Sequence, residues 1–341
     1  MKRGAFARNG MYSTLLETNG MTKILSSSYV QSALQTLLFS ADNLQKTQLR
    51  ASSGLKVAEA ADNAGYWSTS QKLKSEGKVL TSVGDALTLG AAKVDTTYES
   101  VSSMIELLDK IKTQLTTAKE PSADRDSINA SLSSLKSNLE SVAKSASFSG
   151  DNWLYNNNEQ LVESKSIPYS YKKGADGAIT LQYLTIKTSE TTLVDSSDPR
   201  RGVLTSAVDA AQLNPQGTAT PRDYYLLHID GTTAPAGTEI KVSADTTQEQ
   251  LDDMISVVSD LSRKVQGLGS SLGTMSSRIN QQTSFVKGMG DSLDLSVSRL
   301  IDADMTEEST KLAAYKSQRE LAVEMVSMAN SFRRSLNDLF G

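Results

Sequence analysis

Apolar residues recur along much of this chain at alternating spacings of three and four. The longest run is Leu251, Met254, Val258, Leu261, Val265, Leu268, Leu272, Met275, Ile279, Gln282, Val286, Met289 and Leu293, with Gln282 its only polar member. A 3.5-residue repeat held this long predicts a helix that packs along its length against another helix. At 1.5 Å per residue that helix is roughly 65 Å long. Leu87, Gly90, Val94, Thr97, Val101, Met104, Leu108, Ile111 and Leu115 follow the same rule and supply a partner. Pro121 stops this second helix, because its ring clashes with the preceding turn. A shorter helix follows, marked by Ile128, Leu132, Leu135, Leu139, Val142 and Ala146. Two helices adjacent in sequence and one far away predict an antiparallel bundle. Its expected core includes Leu108, Ile111, Leu261, Val265, Leu272 and Ile279. Gly267, Gly269, Gly273, Gly288 and Gly290 each weaken the long helix by about 1 kcal/mol relative to alanine. The stretch QGLGSSLG follows no strand and the repeat runs straight through it. It reads as small residues for close helix approach, not as a dinucleotide loop.

The two ends carry another helical pair. Val30, Leu34, Leu37, Ala41, Leu44 and Gln48 form one stripe. Near the C-terminus Leu321, Met325, Met328, Phe332 and Leu339 form a seam, and Leu312, Ala322, Val326, Ala329, Leu336 and Phe340 form a second, offset seam. A helix that is apolar on two sides cannot hide both in a two-helix hairpin. Such a helix must be surrounded, either by the chain folding back on it or by other copies, and subunit packing would use Leu34, Leu37, Leu44, Leu321, Met325, Met328, Phe332, Leu336, Leu339 and Phe340. In a free chain, residues 21 to about 52 and 305 to 341 are expected to stay unordered until a neighbour covers them.

Between Ser149 and Asp245 the repeat vanishes. Five of the six prolines and most of the tyrosines lie here. A turn at Ala175-Asp176-Gly177 precedes alternation through Ile179, Leu181 and Tyr183, and DYYLLHIDG and GTEIKVSAD look like two strands across a Thr/Pro/Gly turn. The predicted fold is mainly α: a long antiparallel helical bundle and coiled coil built from both chain ends, with a small β-rich domain inserted in the middle. The expected domains are 21–52 plus 305–341 for the terminal coiled coil, 53–148 plus 246–304 for the bundle, and 149–245 for the β-rich insertion. Residues 1–20 read as an extension, with Met21 a plausible start.

Composition narrows the function. The net charge is −4 and the cations are scattered, which argues against a nucleic-acid binder. There is no cysteine, so no thiolate metal site and no thiol nucleophile, and His228 is the only histidine. It sits in an alternating run and reads as an ordinary strand residue. No segment has the apolar length to span a bilayer, and the first twenty residues lack the apolar core of a signal peptide.

One cluster invites a metal: LIDADMTEEST places Asp302, Asp304, Glu307 and Glu308 within seven positions. A divalent ion held there would make the chain a metal-dependent hydrolase. A helix start explains the cluster better. Asp304 sits at the N-cap, Glu307 follows at the capping-box spacing, and acidic residues in a first turn favour the positive end of the helix dipole. Asp62-Asn63 and Gly65 similarly read as a cap entering a long helix, with Tyr66 and Trp67 packed at a joint, and Gly54 as a left-handed break after the first helix.

Three motifs, in this order, resemble bacterial flagellin. From Met21, MTKILSSSYVQSALQTLLFSADNLQKTQLRASSGLKVAEAADNAGYWS is similar to the family's N-terminus. SRLIDADMTEEST resembles its Arg-Ile-x-Asp-Ala-Asp-x-x-x-Glu element, and MVSMANSFRRSLNDLF its C-terminal ending. DNAGYWS and LGAAKVDTTY resemble the alphaproteobacterial, rhizobial branch. The resemblance implies a secreted, extracellular structural subunit, not an enzyme, that reaches its place by type III export and self-assembles into the flagellar filament. It implies no cofactor, no metal and no membrane insertion. The implied partners are further copies, other flagellins, the filament cap, hook-junction proteins and an export chaperone. A hook–filament junction protein of the same superfamily is the alternative. Many flagellins carry a Leu-Gln-Arg-Val-Arg-Glu-Leu-like stretch gripped by a vertebrate immune receptor. Leu108-Asp109-Lys110-Ile111-Lys112-Thr113-Gln114 stands there in this chain and lacks both arginines.

Overall fold

The computed structural model describes residues 9–159, 163–174, 178–229 and 235–340, with side chains from residue 30 onward other than those of Arg333, Leu336, Asn337 and Phe340. Three helices come first: α1 (Asn9–Ser53), α2 (Ala64–Thr117) and α3 (Arg125–Ser145). The insertion follows with β1 (Ser147–Phe148), β2 (Asp151–Asn152), β3 (Tyr155–Asn156), β4 (Ser164–Lys173), β5 (Ile179–Lys187), α4 (Thr188–Thr191), β6 (Val194–Asp195), β7 (Val208–Asp209), α5 (Ala210–Leu213), β8 (Asp223–Tyr225) and β9 (Thr238–Glu239). Two long helices close the chain, α6 (Gln248–Ile301) and α7 (Met305–Phe340). It is mainly helical, with a small strand-containing middle, and divides into two compact units, 1–77 with 292–341 and 78–291.

In the unit of residues 78–291, α2 and α6 run antiparallel. Gly84 lies beside Val286, Gly273 beside Tyr98, and Gly269 beside Val101 and Ile105. A methyl group at Gly269 would stand 3.3 Å from Val101 Cγ1, tighter than ordinary contact, so Val101 would have to give way; Gly267, Gly288 and Gly290 face open space. Every member of the α2 repeat from Leu87 to Leu115 is buried. Leu251, Val258, Leu261, Val265, Leu272 and Ile279 are likewise buried on α6. The seam loosens toward Met275, Gln282 and Met289, which are half-buried. Asp124 caps α3, accepting from Ser127 N–H, and Ile128, Leu132 and Leu139 turn inward.

The insertion is anchored to this bundle by backbone and charge. The β4–β5 hairpin is antiparallel with a bulge between Pro168 and Ser170, and β4 carries Pro168 against Gly90 of α2. Tyr171 Oη donates to Met289 Sδ at 2.9 Å. Arg222 binds Asp253 of α6 with both carboxylate oxygens, and Asn214 Nδ2 donates to the same group at 2.9 Å. Lys136 of α3 reaches Glu239 at 2.9 Å and also donates to the carbonyl of Ile240. Burial pushes the Lys136 ammonium below its usual range, against the pull of Glu239.

Two sequence expectations for the insertion need correction. The two strands read across the Thr/Pro/Gly turn are present as β8 and β9 and pair parallel, with Tyr224 opposite Thr238, but both are shorter than the runs that suggested them. They are three and two residues long, because the chain leaves the ladder at Leu226. His228 lies beyond β8, not in a strand; its ring meets Tyr225 edge-on at 6.4 Å and its Nδ1 is buried. The turns at 175–177 and 232–234 lie outside the described residues.

In the unit formed by 1–77 and 292–341, α1 packs against α7. Ala33, Ser40, Leu44 and Thr47 are buried on α1, with Leu37 half-buried between them. The chain thus supplies its own partner for one face of each terminal helix.

Candidate assembly surface

The joint that sets α1 and α7 side by side is made of main chain. Gly54 takes φ +71° and donates to the Arg50 carbonyl at 2.8 Å, ending α1 in the left-handed conformation that glycine adopts without strain. The Gly54 carbonyl then accepts from Ala303 N–H at 2.8 Å, and Lys56 N–H donates to Ile301 O at 2.7 Å. Leu55 and Asp302 form an isolated antiparallel bridge. Below them Val57, Val297 and Ile301 make a small apolar cluster, with Leu55, Trp67, Leu73 and Leu300 packed against it. Asn63 Oδ1 accepts from Tyr66 N–H at 3.0 Å and starts α2. Asp62 folds back onto the N–H groups of Glu59 and Ala58, which hold its carboxyl below the usual range.

Three of the four clustered carboxylates have a side-chain partner. Asp304 Oδ1 accepts from Thr306 N–H at 2.9 Å and Glu307 N–H at 3.2 Å, so it caps α7. Glu307 reaches along the helix to Lys311 at 2.8 Å and not back to the cap. Asp302 is joined to Leu55 through its main chain alone, and its side chain is exposed. Glu308 is buried, 4.0 Å from Arg50 of α1 and 3.6 Å from Lys311, with Oε2 enclosed. That burial is not legible in the local pattern, because the Arg50 contact joins positions far apart in the chain.

From the cap onward α7 shows two faces. Ala322 is buried, while Leu312, Val326 and Ala329 are half-buried. Leu321, Met325, Met328, Phe332 and Leu339 are exposed, Phe332 at 63% and Leu339 at 74%. The side chains of Leu336 and Phe340 lie outside the described residues. On α1, Leu44 is 6% exposed and Leu37 half-buried, whereas Leu34 stands in solvent. Leu38, Phe39 and Leu49 are exposed as well, at 63%, 66% and 61%. The stripe drawn through α1 missed them, although the consecutive run Leu37-Leu38-Phe39 already puts apolar side chains on more than one face. Scattered exposed leucines are ordinary; five large apolar side chains at spacings of four, three, four and seven on one helix are not.

The bacterial flagellin N-terminal helical region matches residues 24–159, and the flagellin C-terminal helical region matches residues 255–340. Flagellin C of Rhizobium meliloti (strain 1021) is 46% identical over 321 residues, covering 94% of this chain and 99% of the relative. Flagellin A of the same strain is 31% identical over 94% of this chain and 100% of its own length. A flagellin of Brucella melitensis biotype 1 is 32% identical over 94% of this chain and 99% of its own length. The chain belongs to the bacterial flagellin family. It is a flagellin of rhizobial type, a structural subunit of the extracellular flagellar filament that serves motility. No helix among the described residues is long and apolar enough to cross a membrane.

Proposed function

We propose that subunits join in the filament through the outward seam of α7, Leu321, Met325, Met328, Phe332 and Leu339, together with Leu34 of α1 and, where the seam continues, Leu336 and Phe340. Leu37 and Leu44 serve the same assembly indirectly, by holding α1 to α7. The observation that carries this is the exposure of the α7 seam on a helix whose opposite face is already covered. Covering each such side chain contributes about 1.5–3 kcal/mol, so a handful of them suffices to drive polymer growth. On this proposal residues 21–52 and 305–341 line the inside of the filament wall, 53–148 with 246–304 form its bundle, and 149–245 face outward. Other flagellins, the filament cap, hook-junction proteins and an export chaperone are the further partners. On this reading the chain is a building material and not an enzyme: Asp304 works as a helix cap, and Glu307 and Glu308 pair with Lys311 and Arg50.

The test is seeded polymerisation of full-length Met325→Asp. Burying an unpaired carboxylate in a helix interface costs several kcal/mol. Unchanged helix content by circular dichroism with no filaments by electron microscopy is expected; normal filaments refute the seam.

A further inference from the structure

The methionines divide sharply by environment. Met104 and Met254 are buried, and Met289 is half-buried with its sulfur engaged by Tyr171. Met305, Met325 and Met328 are the exposed ones among the described residues, at 46%, 43% and 57%, and all three lie on α7. Met325 and Met328 stand three residues apart on the outward seam, flanked by Leu321 and Phe332, whereas Met305 lies off that seam at the start of the helix.

We infer that Met325 and Met328 form an oxidation-sensitive site that gates addition of this subunit to the filament. The inference rests on the proposed role of the α7 seam. A peroxide transfers its terminal oxygen to the thioether: an S–O bond forms, the O–O bond breaks, sulfur loses two electrons and water leaves. The product sulfoxide is polar and chiral where the thioether was apolar and pliant. On an exposed helix face it is solvated at no cost. Within a packed seam its oxygen needs a hydrogen-bond donor that apolar neighbours do not supply. Oxidation therefore spares the fold of the free chain and acts at incorporation. Once a subunit is in place the same sulfurs are covered, so the growing tip is sensitive and the finished shaft is protected. Met305 serves as an internal control, being equally open to peroxide and outside the seam.

The test uses full-length wild-type chain, oxidised by hydrogen peroxide to partial conversion and offered to untreated filament seeds. Peptide mass spectrometry then compares sulfoxide at each methionine in the sedimented filaments and in the chains left behind. We expect sulfoxide at Met325 and Met328 to be enriched about tenfold in the unincorporated fraction, with sulfoxide at Met305 distributed evenly. Equal partition at Met325 and Met328 overturns the inference. A Met325→Leu/Met328→Leu variant should polymerise after the same treatment at the rate of its untreated control; loss of assembly as deep as in treated wild type also overturns it. Met325→Asp separates the two proposals. If Met325→Asp polymerises, the seam assignment fails and the gate falls with it. Where Met325→Asp is blocked and oxidised wild type incorporates freely, only the oxidative gate is wrong.

Discussion

Arg222, half-buried, grips the buried Asp253 fork to fork, with Nε at 2.9 Å from Oδ2 and Nη2 at 3.0 Å from Oδ1. Asp253 is fully enclosed on α6, and Arg222 comes from the insertion just before β8. The pair, with Asn214 on the same carboxylate, fastens the insertion to the bundle. Removing Arg222 leaves a buried charge with only a neutral amide for company. Arg222→Ala is expected to lower the midpoint of denaturant unfolding of the full chain, and by more than Arg222→Lys.

Asp304→Ala tests the carboxylate cluster. Its loss frees two N–H groups at the start of α7, worth about 1 kcal/mol. A small drop in melting temperature with filaments still forming is expected. Complete loss of assembly with an intact fold would point instead to a metal or catalytic role.

Asp151 predicts an acid limb. Burial would raise its carboxyl, but bonds from Lys165 at 2.6 Å, Lys93 at 3.0 Å and the Trp153 indole at 3.0 Å outweigh this and hold it at about 2, from 3.8. A folded-state value below the unfolded one means that the stability is fully present above about pH 4 and is lost as pH falls toward 2. The Asp151 side chain is 36% exposed, so solvent screening trims the contribution to about 1 kcal/mol. Asp151→Asn should flatten the stability profile of the full chain as pH falls from 4 through 2, with the two profiles converging only below about pH 2.

Immune recognition should be weak. Lys110 and Lys112 are exposed on α2 beside the buried Leu108 and Ile111. They carry charge without the planar fork of arginine. A receptor reporter-cell assay should show at least about a tenfold lower potency than an enteric flagellin; equal potency contradicts this.

The long helices were readable because period and burial coincide. The positions from Leu87 to Leu115 and from Leu251 to Ile279 recur regularly, and nearly all of them are buried. Asp304 and Gly54 were readable because a cap is local chemistry. The α1 face was not. Its inward positions are Ala33, Ser40, Leu44 and Thr47, mostly small residues that admit a close neighbour, so a stripe drawn through the large ones ran partly into solvent at Leu34. β4 escaped notice because Pro168 and its bulge interrupt the alternation. The contacts of Arg222 with Asp253 and of Glu308 with Arg50 escaped notice because they join residues 31 and 258 positions apart, a relationship that only the fold creates.

The joint at Gly54 and Ala303 holds by peptide groups, and peptide groups are common to every residue but proline. Leu55 or Asp302 can be exchanged without removing a donor or an acceptor from it. Gly54, bound by its positive φ, cannot change so cheaply. The joint therefore acts as a standard fitting: divergent gene copies can drift in the residues around it and still present their terminal helices at one common angle.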